Sequence, residues 1–204
     1  MRLFIASLVV VGLSVPLTTA TASAGSPDSA PPPVTAVSEP DGVHTWTTTA
    51  PRADLSAAAG PYTCFAGHSQ DIGWPAQYKC SYDGTWAQAG VIGQHKQLEA
   101  VQLYSGSTGG QTCGQAHLRD IGWVPANGYL CVSDGAVAGF GTVGENRPIE
   151  AFRFFHRTRQ TCSQAHLLVY GPVDDYVCPH ANTVITVGTV GEAKALEALT
   201  GTIL

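Results

Sequence analysis

The chain has 204 residues, only 12% of them charged, and a formal net charge of −5. It carries no contiguous tract of Lys or Arg to neutralise a phosphate backbone or an anionic bilayer, so nucleic acid and membrane surfaces are poor candidates for a partner. With 23 Gly and 13 Pro and short apolar stretches between turn residues, the composition points to a β-rich, turn-rich fold.

In chain order, Arg2 precedes an apolar run from Leu3 to Leu13 and small residues ending at Ala22-Ser23-Ala24. This is the form of a secretory signal peptide, residues 1–24. The run is shorter than the roughly 18 apolar residues of a membrane-spanning helix, so the mature protein is expected to be secreted, extracellular and without a membrane span. Residues 25–42 hold Pro27, Pro31, Pro32, Pro33 and Pro40 among Ser, Ala and Asp. They lack the apolar surface that offsets ordering entropy and read as a disordered tether. Residues 43–204 then have the length of a single domain.

That domain repeats. Cys64, Cys113 and Cys162 recur at intervals of 49, each followed by a second cysteine, Cys80, Cys131 and Cys178. In this register His68, His117 and His166 align. The stretch His68-Ser69-Gln70-Asp71-Ile72-Gly73-Trp74 matches His117-Leu118-Arg119-Asp120-Ile121-Gly122-Trp123, whereas the third copy keeps only the His and Gly. Asp83-Gly84 and Asp134-Gly135 follow the second cysteine. Each copy closes on a glycine turn (Gly90 to Gly93, Gly141 to Gly144, Gly188 to Gly191) and an apolar strand carrying Glu99, Glu150 or Glu197. The repeats span about 61–109, 110–158 and 159–204.

The order His, Ile-Gly-Trp, Asp-Gly, Gly-Thr-x-Gly and Leu/Ile-Glu-Ala resembles the clostridial hydrophobic-Trp (ChW) repeat, most closely in the second copy, over roughly residues 64–200. The resemblance implies a secreted or cell-surface bacterial protein that attaches to polymers or surfaces without a general enzymatic role. The paired cysteines depart from the usual pattern of that family.

A unit of about 49 residues is too small to bury its own core. Three copies are expected to share one, giving an all-β, pseudo-threefold domain of the β-prism or β-trefoil kind. Each unit predicts three or four strands, the first running from the leading cysteine through the His to Gly-Trp. Asp-Gly is a hairpin signal because both residues tolerate positive φ. In an exported chain the six cysteines predict disulfides. Symmetry leaves two patterns, one within each repeat and one reaching forward to the next. The internal set, Cys64–Cys80, Cys113–Cys131 and Cys162–Cys178, is preferred, each worth about 3 kcal/mol by loop closure.

The repeated His and Glu residues invite a metal-binding or hydrolytic reading. Three histidines converging on the axis would make a metal site, and paired carboxylates serve glycoside hydrolysis. A residue repeated in identical contexts is more often structural, so His68, His117, His166, Glu99, Glu150 and Glu197 are taken as structural positions. The glycine turns lack the features of phosphate loops, and no cofactor is expected. Trp74 and Trp123 are either core residues or rim platforms for a sugar ring. Pro172 replaces them in copy three, which favours the rim. Asp71 and Asp120 beside them, and Trp86 beyond the first Asp-Gly, complete a candidate binding set, with turn caps as the plainer role for the aspartates. The leading expectation is a non-catalytic binding module for carbohydrate or a cell-surface polymer, with repeated weak sites. The alternatives are a secreted hydrolase or metal-binding protein using the His and Glu residues, and a protein-binding or inhibitory module.

Overall fold

The computed structural model describes residues 44–50, 60–82 and 85–204. The expected signal peptide, the expected tether up to residue 42 and the expected turn at Asp83-Gly84 lie outside the described residues. A leading strand, β1 (Thr45–Thr49), precedes the repeats. The first repeat forms β2 (Tyr62–Ser69), β3 (Lys79–Tyr82), β4 (Ala87–Gly90) and β5 (Leu98–Gly106). The second forms β6 (Gln111–Leu118), β7 (Gly122–Val124), β8 (Leu130–Ser133), β9 (Ala136–Gly141) and β10 (Ile149–His156). The third forms β11 (Thr161–Leu167), β12 (Gly171–Val177), β13 (Ile185–Gly188) and β14 (Leu196–Ile203). The protein is all-β.

Each repeat pairs its cysteine strand with its glutamate strand at the centre of one antiparallel sheet: β2 with β5, β6 with β10, β11 with β14. The strand before the glycine turn does not stay with them. It crosses to the neighbouring sheet, so β9 pairs with β5, β13 with β10, and β4 of the first repeat with β14 of the last. The exchange is cyclic and closes the three repeats into a ring. Sheet 1 runs β1-β9-β5-β2-β3. Sheet 2 runs β13-β10-β6-β7, with β8 also on β6, and sheet 3 runs β12-β11-β14-β4.

The repeated Glu and the first Gly of the turn explain how the crossing strand is held. In every glutamate strand the register slips at the Glu. His68 faces Ala100 and Ser69 faces Leu98, leaving Glu99 as a bulge, and Glu150 and Glu197 are bulged in the same way. The incoming glycine lies directly against the bulge. A Cβ on Gly141 would sit 2.2 Å from the Glu99 carbonyl oxygen, on Gly188 2.4 Å from that of Glu150, and on Gly90 2.2 Å from that of Glu197. All three glycines have positive φ, and the Thr142 and Thr189 amides donate to the carbonyls of Glu99 and Glu150 at 2.9 Å. Only glycine fits.

The inner faces of the three sheets meet in one shared core. Phe65, Leu98 and Leu103, Phe140, Phe152 and Phe154, and Leu196 and Leu199 are all fully buried there. The disulfides staple each cysteine strand internally, Cys64–Cys80, Cys113–Cys131 and Cys162–Cys178, with Cα–Cα separations of 4.0, 4.0 and 4.1 Å. In the first two, the cysteines are directly opposed across a ladder.

Two strand assignments differ from the sequence reading. The cysteine strand ends before Gly-Trp: the chain reverses at once, with Gly73 N–H donating to Ser69 C=O at 2.8 Å. Asp71 and Asp120 take the left-handed turn position, at φ 61° and 66°, followed by Gly73 and Gly122. Asp134-Gly135 is a turn, but not a hairpin. The strands on either side, β8 and β9, belong to different sheets, because β9 finds its partner edge on β5.

β1 was not foreseen. It adds to the free edge of β9, and Trp46 lies flat on Gly139, where a Cβ would come within 2.0 Å of the indole. The equivalent positions in the other exchanged strands are Gln88 and Thr186, so only the second repeat offers this seat.

Gly141→Ala is expected to cost about 3 kcal/mol or more, from the clash with the Glu99 carbonyl added to the backbone strain. Gly144→Ala, at φ 79° with open space around it, is expected to cost about 1 kcal/mol. Chemical unfolding of the two variants under non-reducing conditions measures the difference.

Candidate functional site

The three histidines do not converge. Each faces the bulged glutamate of its own repeat, with Nδ1–Oε2 distances of 3.2 Å (His68–Glu99), 3.3 Å (His117–Glu150) and 3.0 Å (His166–Glu197). The distances are short, but the angles are not those of a formed hydrogen bond, so each contact is a close electrostatic approach. The glutamates are 2–3% exposed, and their second oxygens serve the architecture. Glu150 Oε1 accepts from Arg119 Nε at 3.0 Å, and Glu197 Oε1 accepts from the His95 amide of the first repeat's turn at 2.6 Å. No group of three or more His, Cys, Asp or Glu side chains close enough to share an ion occurs among the described residues.

The tryptophans of the Ile-Gly-Trp motif are half-buried and already engaged. Trp74 packs edge-on to His68 (5.5 Å between centroids) and to Trp46 (6.4 Å). Trp123 packs edge-on to His117 at 5.2 Å, and the Arg153 guanidinium covers its ring 3.8 Å from the centroid. Asp71 is exposed and pairs with Lys96 at 2.7 Å; Asp120 is exposed with Arg147 at 3.8 Å. In the third repeat Val169 takes this turn position at φ 74°. Lys194 turns instead to Glu192 and to the face of Tyr170.

Trp86 stands apart. It is 37% exposed and stacks on Tyr176, itself 47% exposed, with centroids 4.0 Å apart and planes tilted by 32°. These residues come from β12 and from the approach to β4, the two opposite edges of sheet 3, so the stack roofs that sheet's outer face. Trp86 also lines a groove of about 360 Å³ with Ile72, Pro75, Lys79, Gln88 and Val91, along the seam where sheet 1 meets sheet 3. The seam is narrow because a Cβ on Gly67 would come within 2.2 Å of the Gly90 nitrogen. The third repeat has a related, more open groove in which Tyr170, Val173 and Thr189 stand where the first has Ile72, Pro75 and Val91. The sequence places Trp86 in the candidate binding set with Trp74 and Trp123, but the structure sets it apart from them. Tyr176, its partner, carried no repeat signal, because aromatic contact across a sheet leaves no local pattern.

A second polar network is wholly structural. His156 is fully buried, with Nε2 2.8 Å from Thr108 Oγ1 and Nδ1 accepting from the Thr158 amide at 3.2 Å. These partners assign a neutral ring protonated at Nε2. The Thr108 hydroxyl bonds to Asp134, which also accepts from the Thr108 and Gly109 amides at 2.9 Å. Asp134 thereby ties the β8–β9 turn to the β5–β6 connection.

Comparison with protein-family models, with curated proteins and with solved structures returned no match. The resemblance to the ChW repeat rests on the aligned residues alone.

Burial holds the His156 ring below the usual histidine range, with Arg159 pushing the same way and Asp134 opposing. As pH falls below about 6.5, the unfolded chain takes up a proton that the folded chain refuses, so stability is lost between that value and the lowered folded pKa. His156→Gln is expected to flatten the pH dependence of the unfolding free energy between pH 7.5 and 5 relative to wild type, as urea titrations at several pH values would show.

Proposed function

We propose that this chain is a secreted, non-catalytic module that binds carbohydrate or a cell-surface polymer. The observation that carries the reading is the exposed Trp86–Tyr176 stack beside an apolar groove with two polar side chains, Lys79 and Gln88. A groove of this size, mostly apolar with a few oriented polar groups, suits one or two sugar rings. An indole face held in place by a second ring offers a platform at little entropic cost. The related groove in the third repeat supplies a weaker second site, which multivalency would exploit on a polymer.

Three disulfides suit an oxidising compartment, and no described helix is long and apolar enough to cross a membrane. The disulfides agree with export by the expected signal peptide. The ChW resemblance points to attachment at surfaces as well. A non-catalytic role is favoured because the three candidate acids occupy one repeated environment, each buried behind its own histidine. Hydrolysis of a glycosidic bond needs two carboxylates in different environments on either side of one bond.

Isothermal titration and Trp fluorescence against a panel of cell-wall and plant polysaccharides test this reading. Trp86→Ala is expected to weaken binding about tenfold or more with the unfolding midpoint unchanged. Trp74→Ala, whose ring packs between Trp46 and His68, is expected to lower stability by about 3 kcal/mol. Binding by Trp86→Ala equal to wild type overturns the groove as the site.

A further inference from the structure

We infer that the outer face of sheet 2 is a second, separate site, for an acidic polysaccharide held by Arg153 and Arg157. The two residues lie four apart on one edge-to-edge extended run, and alternation puts both on the outer face, with Phe155 between them and Phe154 and His156 turned inward. Four residues of strand span about 13 Å. Both guanidinium groups are fixed before any ligand arrives. Arg153 lies over the Trp123 ring and donates through Nε to Thr186 at 3.1 Å. Arg157 donates through Nε to Gln111 at 3.0 Å, with a terminal nitrogen 3.8 Å from the Cys131 sulfur. Anchoring through Nε keeps the terminal nitrogens of Arg153, the edge with which a guanidinium forks a carboxylate, out of the Thr186 bond. Ordering cost at binding is correspondingly small.

The surrounding face is prepared for negative charge. Among all residues of β6, β7, β8, β10 and β13 and the connection 125–129, the only carboxylate is Glu150, which is buried against His117 and Arg119. The half-buried Tyr129 packs edge-to-face on the buried Phe155 at 5.2 Å, which sets one aromatic ring beside the two cations for the body of a sugar. The protein as a whole has a formal net charge of −5, which repels a dense polyanion such as duplex DNA. A polyuronate carries one carboxylate per sugar, fewer charges per unit length than duplex DNA with one per about 1.7 Å, and meets that repulsion less strongly. Neither arginine lines the Trp86 groove, so this site stands independently of that one.

The probe is polygalacturonate, with its fully methyl-esterified form as the uncharged control, tested by affinity electrophoresis and calorimetry at low salt on the disulfide-intact protein. Wild type is expected to bind the acid and not the ester. Arg153→Gln with Arg157→Gln is expected to weaken binding about tenfold or more. Arg153→Lys, which keeps the charge but loses the fork and the Thr186 bond, is expected to fall between. If the double variant unfolds, Arg157→Gln alone, at an exposed position, gives the same reading. Undiminished binding by the arginine variants, equal binding of the ester, absence of wild-type binding, or tighter binding to duplex DNA would each overturn the proposal.

Discussion

The contact between a bulged glutamate in one repeat and the glycine turn of the next governs the architecture. The bulge pushes a carbonyl out of the ladder, and a backbone without a Cβ must come up against it. Because the donated strand belongs to a different repeat, no repeat completes its own sheet. The last of the three contacts brings the strand ending at Gly90 to Glu197, joining the first repeat to the third. Stability is therefore a property of the closed ring, and the disulfides secure only the hairpin within each unit. The carboxylates, buried at the same place, each face the histidine of their own repeat, and that of Glu197 also accepts from the incoming turn at the His95 amide.

The inner faces of the sheets must interdigitate and stay alike, whereas the outer faces are free to differ. Sheet 1 gains β1 at its edge, and the Trp46 ring it brings is seated on Gly139 against Trp74. Sheet 2 presents arginines braced on Trp123 and Gln111. Sheet 3 is roofed by Trp86 and Tyr176. The proposed binding surfaces fall where the repeats have diverged, and the repeated residues His, Glu and Gly fall where they have not. In this molecule repetition marks architecture.

Much of the fold was legible from the cysteine spacing: three units, all-β, one disulfide in each, a shared core. The candidate site was legible only in fragments. Trp86 belongs to the candidate binding set read from the sequence, but its partner Tyr176 lies ninety residues away and its groove is formed by two sheets. The role of Arg153 was hidden for the same reason. The Trp123 motif is visible as a motif, yet which side chain lies on the indole depends on the strand paired alongside. Asp-Gly was read as a hairpin because its φ preferences are local, and local preference does not say which edge the next strand will join.

The sequence by itself determined what period and residue type can encode. These are the number of units, the alternation that turns one face of each strand inward, the cysteine pairs close enough to bond within a unit, and the glycines that positive φ demands. Tertiary structure alone decided the cyclic exchange of strands, the seat that Gly139 gives Trp46, and the meeting of Trp86 with Tyr176. The physical reason is that an unpaired strand edge offers the same N–H and C=O groups to any partner. The choice among edges is made by the packing of side chains that are distant in the chain and adjacent only after the ring has closed.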